Sequence, residues 1–172
     1  MKKLIMIASV IATTLFTGCT PSAEQINQTA AAIGTAAGLV ANQTKIEPAA
    51  RNAVIDILGE VRTYIPSGEQ TFVDAWTPTI EAKIAELVKS GKITSTVGTL
   101  VKPVAVMAAQ AIDYTFERYP KAKQNEELIR AGATGVIDGF LTVFKPANTV
   151  SSGSKPVYDE KAYEYFKNKL SK

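Results

Sequence analysis

The sequence predicts an all-α protein: a compact bundle of about six helices, with a flexible linker before a short C-terminal helix. Three observations lead there. Apolar residues recur three and four apart in segment after segment. Proline, Pro103 excepted, stands at the starts of those segments or between them. No stretch alternates apolar and polar residues around a hairpin turn.

The first helix is carried by Ile26, Ala30, Ile33, Ala37 and Val40. Pro48 is suited to open the second, because its fixed φ matches a first helical position and its missing N–H has no partner there anyway. Ala50, Ala53, Val54, Ile57, Leu58, Val61 and Tyr64 form its apolar stripe, and Pro66-Ser67-Gly68 stops it. Ser67 and Gln70 have capping-box spacing ahead of Phe72, Val73 and Trp76. Thr77-Pro78 then reads as an N-cap and first residue of a further helix, with Ile80, Ile84, Leu87 and Val88 inward and Ser90-Gly91 at its end.

From Val97, the series Leu100, Val104, Met107, Ala108, Ala111, Ile112, Thr115 and Tyr119 keeps helical period across Pro103, which should kink or restart the helix. The β-branched run from Ile93 to Val101 also allows a short strand. A helix from about Asn125 to Lys145 follows on Ile129, Ala133, Val136, Ile137, Phe140, Leu141 and Phe144. Residues 146–157 form a Pro/Ser/Gly linker, and 158–172 a last helix with Ala162, Tyr163, Phe166 and Leu170 on one side. That helix is expected to dock on its own bundle, the alternative being a partner groove or a membrane surface.

Ahead of all this stand Lys2 and Lys3, an apolar run from Leu4 to Leu15, and then Phe16-Thr17-Gly18-Cys19. The run is too short to span a bilayer as a helix, and a charged start followed by an apolar stretch and small residues reads as a removed signal. Leu15, Phe16, Thr17, Gly18 and Cys19 together resemble the lipobox of bacterial lipoprotein signal peptides. The pattern departs in one place: Phe16 stands where the family usually has leucine, with Leu15 one step earlier. The resemblance implies a diacylglycerol on the Cys19 thiol, cleavage before Cys19 and acylation of the new amine. Residues 1–18 are then the signal and 19–145 the lipid-anchored helical domain. Acyl chains contribute about 0.8 kcal/mol per buried methylene, enough together for stable anchoring. Thr20 stands where aspartate marks inner-membrane retention, so the implied address is the outer membrane, or the outer face of the plasma membrane in a one-membrane host.

Composition narrows the chemistry. Of 19 basic side chains, Lys2 and Lys3 leave with the signal, so 17 face 16 acids, a net charge of +1. That is too weak a field to predict a nucleic-acid partner. The chain has no histidine, and its one cysteine is the residue that the resemblance implies is lipidated. Histidine-dependent triads, Cys–His nucleophiles, nitrogen- or sulfur-ligated zinc and intrachain disulfides are therefore not expected. No catalytic residue, metal site or cofactor is assigned beyond the covalent lipid on Cys19.

Two patterns remain. Gly34 and Gly38 in the first helix, and Gly132, Gly135 and Gly139 in the fifth, lie three or four apart. Each mid-helix glycine costs roughly 1 kcal/mol against alanine, which calls for a compensating close approach. One tight helix–helix crossing inside the bundle is the expectation, ahead of oligomerisation or membrane insertion. Asp56, Asp113 and Asp138 each follow an isoleucine but fall on the polar stripe of their helix, so solvated or salt-bridged acids are expected. Only if the Asp56–Glu60 and Asp113–Glu117 pairs faced each other could four carboxylates hold a hard cation. Phe72 and Trp76 are the candidate lining of a ligand cleft.

The expected function is a lipid-anchored envelope protein with a non-catalytic binding or scaffolding role, acting on an envelope protein or on a second copy of itself. A carrier of a lipid or small apolar ligand is the second reading, and a carboxylate-dependent envelope enzyme the third.

Overall fold

The computed structural model describes residues 21–44, 46–66, 70–144 and 156–170. Among them are six α-helices, one 3₁₀ turn and no strand. The helices are α1 (Ala23–Asn42), α2 (Pro48–Val61), α3 (Phe72–Lys89), α4 (Ser95–Arg118), α5 (Glu126–Phe144) and α6 (Glu160–Leu170), with the 3₁₀ turn Pro120–Gln124 between α4 and α5. The lipobox residues, Ser67 and most of the 146–157 linker lie outside the described residues.

The core is one continuous apolar cluster fed by all six helices. α1 and α5 form its innermost pair. α4 lies against both of them and carries α2 and α3 on its other sides, while α6 covers α1. Among the described residues, α4 is the one helix long and apolar enough to cross a membrane. Most of its apolar residues from Val97 to Phe116 are buried against the bundle, as in a central helix, while Leu100 is 45% exposed.

The helix starts follow local chemistry. Ser22 and Gln25 make a reciprocal capping box at α1, with Gln25 N–H donating to Ser22 Oγ at 3.2 Å and Ser22 N–H to Gln25 Oε1 at 3.0 Å. Pro48 occupies the first turn of α2. Thr71 caps α3, Thr94 caps α4 and the Asn125 side chain caps α5.

Three expectations are corrected. The helix expected to restart at Thr77-Pro78 is instead part of a single α3 capped at Thr71. Pro78 is exposed, so the carbonyl that loses its N–H partner faces water, and Thr77 Oγ1 donates to Val73 O at 2.6 Å within the helix. Pro103, also exposed, lies inside a single α4, so the helical period read across it holds. The Ile93–Val101 run forms no strand: Ile93 is buried under the α3–α4 connection, and Thr94 starts the helix. Tyr64 leaves the apolar stripe because α2 ends at Val61, and its ring is half-exposed.

The α3–α4 hairpin turns on Gly91. Lys92 N–H donates to Leu87 O and Gly91 N–H to Val88 O, both at 3.0 Å. Gly91 itself has φ +72°. These are the two bonds and the left-handed residue of a Schellman turn. A Cβ at Gly91 would touch nothing within 4 Å, so the demand there is conformational. Gly91→Ala is expected to lower stability by about 1 kcal/mol in urea unfolding, and Gly91→Asn by less, because asparagine tolerates the left-handed region.

Candidate functional site

Glycine positions in α1 and α5 meet face to face. A Cβ added at Gly34 or Gly139 would fall well under 3.0 Å from the carbonyl oxygen of Val136 or Ala31 respectively. At Gly135 it would run into the Asn27 carbonyl, and at Gly38 it would lie 2.6 Å from the Phe140 carbonyl. Gly132 makes room for the Phe116 ring of α4, whose Cζ would lie 2.7 Å from such a Cβ. So four of the five glycines admit the partner helix's backbone, and the fifth admits an aromatic ring.

The two helices run parallel in a constant register. Asn27 Nδ2 donates to Ala131 O at 3.0 Å and Thr35 Oγ1 to Gly139 O at 3.3 Å, both spanning 104 residues. Asn42 Nδ2 donates to Val143 O at 2.5 Å. Arg51 from α2 completes the end of the seam. Its Nη1 lies 3.0 Å from Phe144 O and 2.7 Å from Asn42 Oδ1, and its guanidinium sits over the Phe144 ring at 4.7 Å. The last carbonyls of α5 are thus capped by side chains from α1 and α2, with a cation at the negative end of the helix dipole.

Phe72 and Trp76 line no cleft of this kind. Trp76 has no exposed surface and Phe72 only 2%. The two rings meet edge-on at 5.3 Å, and Phe72 stacks on Phe116 at 6.1 Å. Trp76 Nε1 donates to the Tyr64 carbonyl at 2.9 Å, which satisfies its only polar atom inside the core.

Asp113, expected on the polar stripe as a solvated or salt-bridged acid, is half-buried, feels the charge of Lys123 and makes no salt bridge among the described residues. It reaches from α4 to the start of α3, where Oδ1 accepts from Phe72 N–H at 2.8 Å and Oδ2 from Val73 N–H at 3.0 Å. Burial pushes its carboxyl above the ordinary value, against the opposing pull of those two N–H groups. Glu60 pairs instead with Lys83 at 3.0 Å, and Asp138 with Arg62 at 3.4 Å. The carboxylates of Asp56, Glu60, Asp113 and Glu117 do not converge, and no metal-binding group of side chains occurs among the described residues.

α6 docks on the bundle through fully buried Ala162 and Phe166, while Leu170, expected inward, is 41% exposed. Tyr165 stacks on Tyr114 of α4 at 4.7 Å, and Gln43 Nε2 donates to the Tyr163 hydroxyl at 2.7 Å. Asp159 joins this docking to the helix start. Its Oδ1 accepts from Ala162 N–H at 2.8 Å, its Oδ2 pairs with Arg118 at 2.6 Å, and its own N–H donates to Ala32 O at 3.2 Å. Burial pushes the Asp159 carboxyl up, but Arg118 and the Ala162 N–H outweigh it and hold it below its ordinary value.

One surface opening was not anticipated from the sequence. A groove of about 520 Å³ lies between the α2–α3 connection, the 3₁₀ turn and the first turns of α5. Tyr64 and Ile65 form one wall, Ile129 and Arg130 the other, and Lys123 and Glu126 stand at the 3₁₀ end. The residues are dispersed over three segments with no shared period, so no local pattern marked them.

Family models, curated proteins and solved structures compared with the chain show no match.

Two outcomes are expected from this geometry. Gly139→Ala should destabilise the protein by about 3 kcal/mol, because the Ala31 backbone cannot give way as a side-chain tip can. Gly59→Ala in α2, where a Cβ meets nothing, should stabilise it by about 0.5–1 kcal/mol, and chemical unfolding of both variants reads the contrast. Asp159 predicts a pH dependence. A depressed folded pKa contributes stability that is fully present above the unfolded value and is lost as pH falls through the folded one. Hydrogen-exchange protection of α6 should therefore weaken on acidification below the ordinary carboxylate range, and Asp159→Asn should abolish that pH-dependent component.

Proposed function

We propose that this chain is a lipid-anchored envelope protein with a non-catalytic binding or scaffolding role at the membrane surface. The observation that carries the reading is the run Leu15-Phe16-Thr17-Gly18-Cys19 placed three residues before the Ser22 cap of a helix locked into the bundle. An acylated Cys19 and the start of α1 at Ala23 are separated by four residues, so their separation cannot exceed about 14 Å. The tether is short and the body it holds is packed, an arrangement suited to presenting a surface at a fixed height above lipid.

The absence of histidine and the use of the single thiol for acylation favour binding over catalysis. The inferred destination is the outer membrane, from Thr20 after the modified cysteine, and the inferred partner is an envelope protein or a second copy. The packing of Phe72 and Trp76 against each other inside the core favours this reading over a carrier of an apolar ligand.

Mass spectrometry of the protein from membranes of the source bacterium or a lipoprotein-processing host is expected to find a chain beginning at Cys19 with acyl chains on the thiol and amine. Cys19→Ser should remain uncleaved and lose the acyl mass. An unmodified Cys19 would overturn the anchoring. Crosslinking of the anchored protein in cells should yield one recurrent envelope protein or a homo-oligomer, and no crosslinked species would overturn the binding role.

A further inference from the structure

The constant register of the seam places the groove. With α1 and α5 parallel and offset by 104 residues, Glu126 is level with Ser22 and Arg130 with Ile26. Lys123 precedes α5 and so lies at the very end of the bundle from which α1 starts. Asp113 and Phe116 of α4 lie beside the starts of α3 and α1 respectively, which brings the Thr63–Pro66 connection to that same end. The groove and the point where the anchor joins the fold are therefore neighbours.

Its lining has two chemistries. Lys123 is exposed and has no carboxylate within salt-bridge distance among the described residues, although Asp113 is near enough to feel its charge. Arg130 uses Nε and Nη2 on Glu126, at 3.1 and 2.7 Å, which leaves its Nη1 edge for another acceptor. Ile65 and Ile129 are half-buried, and the Tyr64 ring is 52% exposed beside them. Cations next to an amphipathic ring and short apolar walls match the headgroup layer, where phosphate, glycerol and the first methylenes meet. The volume falls within the roughly 300–1,000 Å³ typical of small-molecule sites.

We propose that this groove holds the headgroup of an anionic phospholipid from the membrane that carries the anchor, with Lys123 and Arg130 on the phosphate and Tyr64, Ile65 and Ile129 against the glycerol and upper chain. The proposal rests on the lipoprotein reading, which brings the start of α1 within about 14 Å of the acylated residue. Bound lipid would add a second, non-covalent contact and fix the rotation of the bundle about its tether.

The test uses the full chain, expressed with its leader and purified from membranes in a neutral detergent. Native mass spectrometry after incubation with phosphatidylglycerol, phosphatidylcholine or inorganic phosphate reads the complex directly. Phosphatidylglycerol should be retained one to one, and in preference to phosphatidylcholine. The double variant Lys123→Glu, Arg130→Glu should lower that retention about tenfold. Both positions are exposed, and far-ultraviolet circular dichroism checks that the variant stays folded. Equal retention of the two lipids, or retention unchanged by the double variant, would overturn the proposal. Retention of inorganic phosphate without lipid preference would overturn it too, by showing a phosphate site alone. The mass of residue 19 in the same spectra reports separately on acylation, so failure of the groove and failure of the anchor are told apart.

Discussion

The contact on which the rest of this bundle depends is backbone against backbone, where α1 and α5 meet over glycines. At ordinary interhelical distances the hydrophobic effect is collected by side chains, and a glycine there only forfeits area. At this seam the missing Cβ atoms let each helix lie in the other's groove, so that Val136, Phe140, Asn27 and Ala31 present carbonyls where side chains would normally stand. Close approach then brings Asn27, Thr35 and Asn42 within hydrogen-bonding reach of α5 carbonyls. Dispersion and hydrogen bonding together offset the helix propensity that glycine sacrifices.

Everything outside the seam is arranged around a pair that is parallel and fixed in register. Two consecutive antiparallel helices could not supply such a pair, and the chain reaches it only after α2, α3 and α4 have been laid down between the partners. α4 covers both members of the pair, and α6 returns to cover α1. Helix ends in this protein are accordingly capped by distant residues as well as local ones. Asp113 receives the first N–H groups of α3, Arg51 and Asn42 bind the last carbonyls of α5, and Asp159 links the start of α6 to Arg118. Each satisfies backbone groups that a helix cannot satisfy itself, and each ties one helix to another in the same act.

The legible parts of the fold were those set by local physics. Apolar spacing located α1, α2, α5 and α6 closely, and the glycine spacing in two helices marked both sides of the seam. The errors came where a local rule met a tertiary circumstance. Pro78 ordinarily marks a helix start, yet it faces water within α3, where the carbonyl it leaves unpaired is solvated and the apolar face beneath is undisturbed. The β-branched run after Ile93 fits a strand by propensity, but burial of Val97 and Val101 at helical spacing, with Gly98 set against Ile84 of α3, selects the helix. Asp113 sits among polar residues on its helical wheel, and periodicity cannot reveal that another helix begins opposite it.

The sequence by itself determined an all-α chain, the places where most of its helices run, the absence of histidine chemistry, and the lipobox-like segment on which the anchoring proposal stands. These are properties of short windows, in which composition and a period of three to four residues carry the information. Tertiary structure alone decided that the glycine helices pair with each other and in parallel, that Trp76 is core, and that Tyr64, Lys123 and Arg130 share one groove. Those facts join residues as much as a hundred positions apart, and the relative placement of distant segments is set by how packed surfaces fit, which no local pattern records.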